Sequence, residues 1–419
     1  MRFILLALLL LAGCSNNNPV NVSGNSCNDV VLQFHPSDKA QEDILAALIK
    51  AKTGITLELA AGTYSFNTSL SLTVPGVTIR GAGMDQTILS FKEQDQGKEG
   101  ILVTGNDFKM EGLTIEDTKG DALKINGATN VTLTKVRARW TGGPAETNGA
   151  YGLYPVQCSH VIIDGCEAEC ASDAGIYVGQ SKQVIVKNCK ATRNVAGIEI
   201  ENCTEVDVFD NYSTNNTGGL LVFDLPDLPA KNGKQVRVFR NTVIANNHRN
   251  FAPKGNIVAT VPPGTGMMVL ASDQVELFQN QVKQNNTTGL SIISYHLVQK
   301  PIQDKDYDPY PEGIYVHDNV FEENGNSPGG EMGLLLTGLL GKPLPDILYD
   351  GNTDPKKQVD GKLPEEKRLK ISNQDKARFV NLNYTGGDIL KFALGKPKIE
   401  RNIASVAGTL PALPAVELK

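Results

Sequence analysis

The sequence predicts an all-β fold: a single-stranded right-handed parallel β-helix of about ten to eleven coils with an N-terminal capping helix. Three observations predict it. First, a segment recurs: GIYVGQSKQVIVKN at 175–188, GIEIENCTEVDVFDN at 197–211 and GLLV at 219, with the opening glycines 22 apart. Second, a column of Gly, Asn or Lys follows each apolar-x-apolar strand, at Gly81, Gly112, Lys135, Gly165, Asn188, Asn211, Asn241, Asn280, Asn319 and Asn352. The shortest separation along it is 23 residues, which suits one coil of three short strands and three turns. Third, 41 glycines and frequent Asn punctuation in 419 residues favour many short strands over two or three separate domains. A single coil cannot bury its inward residues. Stacked coils can, by placing Val on Val and Ile on Ile in columns. The column residues tolerate left-handed corners, and stacked Asn side chains can bond along the axis.

The elements follow in order. Residues 1–13 have the charge, apolar run and small residues of a signal peptide. Leu11-Ala12-Gly13-Cys14 resembles the lipobox of bacterial lipoproteins, which implies a lipid on Cys14 and a membrane link through that anchor alone. Ser15 follows the cysteine, so the resemblance implies the outer membrane of the cell envelope, on its periplasmic or exterior side. Residues 14–29 read as a flexible, lipidated tether. In 38–52, Ile44, Leu45, Leu48 and Ile49 share one helical face, as a cap over the open coil requires. The solenoid then spans 30–352 as one domain and a monomer. Residues 353–419 are charged and turn-rich, with KIERNI (398–403) offering one last coil. ITLELAAGTYSF (55–66) and VPGVTIRGAG (74–83) resemble the opening of pectate-lyase-like right-handed β-helices.

Loop lengths locate the binding surface. Insertions grow at 135–152, 219–236, 241–266, 289–314 and 319–333, on both sides of the strand that begins Gly-Ile-Tyr-Val. Loops flanking one strand column wall a groove whose floor is that column's outward side chains. Alternation makes Leu123, Leu153, Ile176, Ile198, Leu220 and Leu290 inward, and Lys124, Tyr154, Tyr177, Glu199, Leu221 and Ser291 outward. Asn126, Val156, Gly179, Glu201 and Phe223 lie two residues further on. Arg139, Trp140, Asp224, His248, Arg249 and Lys254 belong to the walls. Aromatic rings cover sugar faces and cations hold carboxylates, so these residues point to a polysaccharide, and to a polyuronate among polysaccharides. A net charge of −6 gives no support for nucleic-acid binding.

From Gly149 to Tyr177 the chain resembles mannuronan C-5 epimerases, which carry Tyr-Gly-Phe-Asp-Pro-His one coil before Asp-Gly-Phe. Tyr151, Gly152 and Pro155 match, whereas Tyr154 replaces the motif Asp, Val156 the His, and Gly179 the second Asp. The resemblance implies proton abstraction beside a carboxylate, for which Tyr151, Tyr154, Tyr177 and Lys124 are the catalytic candidates here. A wider resemblance, carried by NGAYGLYPVQC, ASDAGIYVGQS, GLLVFDLP and NFAPKGNIV…PPGTG over about 30–350, is to secreted β-helix-repeat lipoproteins of unsettled function. The functional expectation is an envelope-anchored lipoprotein that binds an acidic polysaccharide, with lyase- or epimerase-like modification as its chemistry. The competing class is a non-catalytic envelope scaffold with a protein partner.

No cofactor is required by this reading. Asp304, Asp306 and Asp308 in QDKDYDPYPEG resemble the start of a calcium loop; Pro309 and Tyr315 stand where a helix–loop–helix site needs Gly and Glu, which leaves a looser calcium site in this long loop, or a solvated acidic wall. Met267 and Met268 with scattered His are too thin for copper and fit core positions. Cys166 and Cys189 lie on adjacent coils, about 4.8 Å apart along the stack, which permits either a disulfide or stacked thiols.

Overall fold

The computed structural model describes residues 22–23, 30–374 and 376–418. The leader, Cys14 and the tether around it lie outside that range, apart from Val22–Ser23. Among the described residues, no helix is long and apolar enough to cross a membrane.

The strands form two long assemblies, one of 21 strands and one of 11, and consecutive coils pair in parallel. The eleven-stranded sheet carries the candidate site. Its inward column runs Ile101, Leu123, Leu153, Ile176, Ile198, Leu220, Met267, Leu290, Ile347 and Phe379, one residue per coil. In the larger sheet Val131, Val161, Val184, Val206, Val236 and Val275 stack in the same way. All of these are buried, and β-branched side chains fill such columns because one rotamer suits every coil.

A helix, α1 (Ala40–Lys50), covers the N-terminal end with Ile44 and Leu48 buried. Ile49, expected on the buried face, is 81% exposed, so that face is one residue narrower than its periodicity implies. At the other end the solenoid continues beyond 352. Strands Lys370–Ser372 and Phe379–Asn381 build the coil expected at 398–403, where Glu400 makes only a bridge to Asn381. Two further helices, α2 (Gly330–Leu340) and α3 (Ile389–Leu394), pack outside the coils.

The corner column divides into two. Gly112, Lys135, Gly165 and Asn188 have positive φ, and the residues in register with them on later coils are Asp210, Arg240, Gln279 and Asp318, also at positive φ. The next residue points inward, giving Cys166, Cys189, Asn211, Asn241, Asn280 and Asn319. Asn188 therefore does not stack on Asn211, and Asn352 lies at a different corner, where it donates to Ser294 Oγ at 3.1 Å. From Asn211 the amides form a ladder: Nδ2 bonds the next Oδ1 at 2.9, 3.0 and 2.9 Å. A second ladder runs Asn194, Asn216, Asn246, Asn285 and Asn324, and ends on Asp346, which Arg378 holds at 2.9 Å. Cys166 and Cys189 are free buried thiols that hydrogen-bond, so the stacked-thiol alternative holds.

Candidate functional site

The outward residues of the eleven-stranded sheet fall where alternation places them, with one departure. A Cβ on Gly175 would meet the Asn194 amide at 2.6 Å and Ala168 at 2.9 Å, so Gly175 faces the core. Gly152 faces inward similarly, its Cβ position 3.3 Å from Ala138. Two successive residues thus point in, and the one before them points out. This turns Tyr151 onto the same outer face as Tyr154.

The three tyrosines form one cluster. Ring centroids of Tyr151 lie 4.5 Å from both Tyr154 and Tyr177, and Tyr154 meets Tyr177 edge-on at 5.0 Å. Lys124 stands 5.1 Å over the Tyr154 ring and 3.9 Å from Glu99. Tyr177 folds over Gly179, where a Cβ would sit 2.4 Å from its hydroxyl oxygen. That bend lets the hydroxyl donate to Glu201 Oε1 at 2.6 Å.

Two carboxyls that the sequence reading missed complete the group. Asp173 accepts from Asn256 Nδ2 at 3.1 Å, and its charge acts on the Tyr151 hydroxyl. Asp121 accepts the Tyr151 backbone N–H at 3.2 Å. The available signal was a recurrence: Asp121-Ala122 and Asp173-Ala174 both lead into this strand column.

Burial sets the protonation of these acids. Asp173 is raised to about 7, first by desolvation and then by the charge of Glu201. Glu199 is pushed well above the usual carboxylate range by burial, then by the neighbouring charges of Asp173 and Glu201. Burial raises Glu201 too, against the bond it accepts from Tyr177. Asp121, at the half-buried edge, rises to about 6 through desolvation. Burial thus disfavours ionisation at Glu199 and Glu201 together, while Glu201 Oε1 takes the Tyr177 hydroxyl. Tyr151, Tyr154, Lys124 and Asp121 are half-buried, whereas Tyr177, Asp173, Glu199 and Glu201 are buried.

The remaining candidates do not join this cluster. Arg139 lies on the larger sheet and pairs with Glu116 at 2.8 Å. Trp140 is 5% exposed with its indole N–H on Thr118 O at 2.8 Å, which makes it a packing residue rather than a sugar platform. Asp224 is fully buried and anchors loops: Oδ1 accepts the Gly233 N–H at 2.7 Å, and its carbonyl accepts the Tyr307 hydroxyl at 2.6 Å. His248 packs edge-on against Phe251, and Lys254 projects into solvent.

The expected open floor is roofed beyond Glu201. Leu221, Phe223, Met268 and Leu348 are buried beneath residues of the 246–264 loop, the 295–312 loop, α2 and α3. A cavity of about 630 Å³ survives there, lined by Met268, Ile293, Leu297, Met332 and Leu336, with Arg249 and Glu331 among its polar residues. Apolar insertions make that roof, which the sequence reading took for walls.

Asp304, Asp306 and Asp308 do not converge. Lys231 bridges the first two at 2.7 and 3.7 Å, and Lys357 pairs with the third. Asp308 gathers instead with Asp273 and Glu312, and the ammoniums of Lys357 and Lys367 reach Glu312 at 2.9 and 2.7 Å. Lysines occupy the place a cation would take.

Residues 99–248 match the family described as "Right handed beta helix region". A pre-neck appendage protein of Bacillus phage B103 is 25% identical over 204 residues, which are 39% of this chain and 24% of that protein. The chain therefore spans about a quarter of that relative's length. Among solved structures, the A-module of Azotobacter vinelandii mannuronan C-5 epimerase AlgE4 is 16% identical over 75% of this chain and 88% of its own, with a TM-score of 0.49. A polygalacturonase from Erwinia carotovora is 12% identical over 71% and 94%, also with a TM-score of 0.49. Pectate lyase Pel9A is 14% identical over 71% and 78%, with a TM-score of 0.43. The family match over 99–248 and the unbroken parallel register on either side of it agree on one architecture: the chain is a right-handed parallel β-helix.

Proposed function

We propose that this protein binds a glycan on the outer face of the eleven-stranded sheet, at the mouth formed by Tyr151, Tyr154, Lys124 and Asp121. The observation that carries this reading is the packing of three tyrosine rings within 4.5–5.0 Å of one another beside hydrogen-bonding carboxyls. Tyrosine faces suit the C–H faces of sugars, and carboxyls accept from their hydroxyls. Tethering through a lipid on Cys14 would hold the site at the cell envelope, and incorporation of labelled palmitate by the chain but not by a Cys14→Ala variant tests that part.

Uronate lyase and epimerase chemistry needs a cation against the substrate carboxylate. Arg139 is committed to Glu116, and Lys124 sits beside Glu99 and Tyr154. The arrangement favours binding over turnover. The roof over the distal floor favours the same choice, since a long polymer has access only to the N-terminal part of the groove. The test is titration of the full chain with a panel of neutral, acidic and amino oligosaccharides, followed by product analysis. Binding that falls about tenfold or more in Tyr154→Ala supports the reading. No binding anywhere in the panel refutes it.

A further inference from the structure

We infer that the glycan held at the tyrosine–carboxyl cluster carries a protonated amino group, so that its class is amino sugar rather than polyuronate. This rests on the glycan-binding reading above and names its substrate.

The first ground is the charge inventory. Asp121, Asp173, Glu199 and Glu201 act on one another across the cluster, and Glu99 acts on Asp121. Lys124 faces Asp121, but among the described residues no cation pairs with Asp173, Glu199 or Glu201. A uronate brought to this surface would meet carboxyls.

The second ground is an unsatisfied atom. Glu199 is 3% exposed, and its Oε2 has no hydrogen-bond partner. A buried carboxyl oxygen without a donor is costly, and an ammonium with three N–H groups is the donor that such a cluster lacks. Asn256, from the loop lying over the floor, supplies one N–H to Asp173 at 3.1 Å, in the place where an incoming donor would compete.

The chain's other acid cluster shows how it closes such a group internally. Glu312 receives the ammoniums of Lys357 and Lys367, and Asp308 also takes that of Lys357. The tyrosine cluster has no such lysine among the described residues. Its outermost ring already accepts an ammonium, that of Lys124 over Tyr154, which shows that this aromatic surface suits a cation. An amino sugar presents both parts at once, with C–H faces for the rings and an ammonium for the carboxyls.

Burial disfavours the ionised forms of Asp173, Glu199 and Glu201. A bound ammonium would let them ionise, so binding should release protons.

The experiment is calorimetric titration of the full chain at pH 6 with a β-1,4-glucosamine oligomer, its fully N-acetylated counterpart and a uronate oligomer of equal length. It is run in two buffers of different ionisation enthalpy. The expected result is at least tenfold tighter binding of the amino oligomer than of the other two, with a heat that depends on the buffer. Glu199→Gln should remove most of that preference for the amino oligomer. Asn256→Ala, which deletes the competing donor, should tighten the amino oligomer severalfold, so the idea does not hang on one buried substitution. Equal or tighter binding of the N-acetylated or uronate oligomer overturns the inference and leaves the glycan-binding reading standing. Absence of binding by all three overturns both.

Discussion

Asn280→Ala is the sharpest test of how this solenoid is held together. Asn280 is fully buried and makes four side-chain hydrogen bonds. Its Oδ1 accepts from the Asn241 backbone N–H and from Asn241 Nδ2, each at 3.0 Å. Its Nδ2 donates to Val238 O at 2.8 Å and to Asn319 Oδ1 at 2.9 Å. At about 1 kcal/mol net for each bond, and with the former partners left in a dry interior, the loss comes to about 3–5 kcal/mol. Asn188→Gly is the matched control. Asn188 sits at a left-handed corner, φ 54°, with its amide on Asp164 at the surface. Glycine keeps that backbone conformation, so the change should stay within about 0.5 kcal/mol. Solenoids open locally, so the readout is native-state hydrogen exchange at the Asn241 amide together with the urea midpoint by circular dichroism. A cost below about 1 kcal/mol for Asn280→Ala, or an equal cost for Asn188→Gly, would refute the division of the corner into two columns.

Three further outcomes follow from the same geometry. Asp121 and Asp350 rise to about 6, Asp173 and Asp273 to about 7, and Asp224 to about 8, each from 3.8 and each chiefly through desolvation. The native state therefore holds protons that the unfolded chain has released, and stability should fall as pH rises from about 4 to about 8. His296, lowered by burial, opposes this weakly. A melting temperature at pH 8 equal to or above that at pH 5 would contradict the sign. Gly179→Asp should destabilise by about 1–3 kcal/mol, because its Cβ meets the Tyr177 ring at 2.4–2.7 Å. Adding Tyr177→Ala should recover part of that loss in thermal melts, and the absence of any recovery would mean the clash lies elsewhere. Cys158, Cys166, Cys170, Cys189 and Cys203 should react with a thiol reagent only after unfolding, and a melting temperature indifferent to reductant should accompany this. Protection of Cys166 and Cys189 alone in the denatured, unreduced chain would indicate a disulfide instead.

The coil architecture was legible because it depends on local pattern. Apolar alternation fixes which residues face inward, and the repeat spacing brings them into register. The corner was misread because Gly and Asn serve two purposes one residue apart, left-handed backbone at Asn188 and amide stacking at Asn211. Composition does not separate these purposes; only the pairing of Lys187 with Phe209, which sets Cys189 on Asn211, does so. Tyr151 was assigned through motif resemblance, and period-two alternation alone would have turned it into the core. The inward pair at Gly152 and Leu153 reverses that parity. The roof was hidden for a different reason. Loops at 246–264 and 295–312 dock on strands distant in sequence, and their apolar residues have no period to read.

Gly179 shows why the site departs from its resemblance as a unit. An acid at 179 and a tyrosine folded down at 177 need the same space, since the Tyr177 hydroxyl lies 2.4 Å from where a Cβ would be. With glycine there, the ring can bend over the strand and donate a hydrogen bond to Glu201 on the next coil. The carboxylate has in effect moved one coil along, from 179 to 201, two positions that pair directly in the sheet. It arrives buried beside Glu199, with no cation paired to it among the described residues. A lone surface carboxylate stays ionised and can serve beside a cation-neutralised uronate. A pair of acids whose ionisation burial disfavours instead suits a ligand that brings positive charge with it, as the inference above has it.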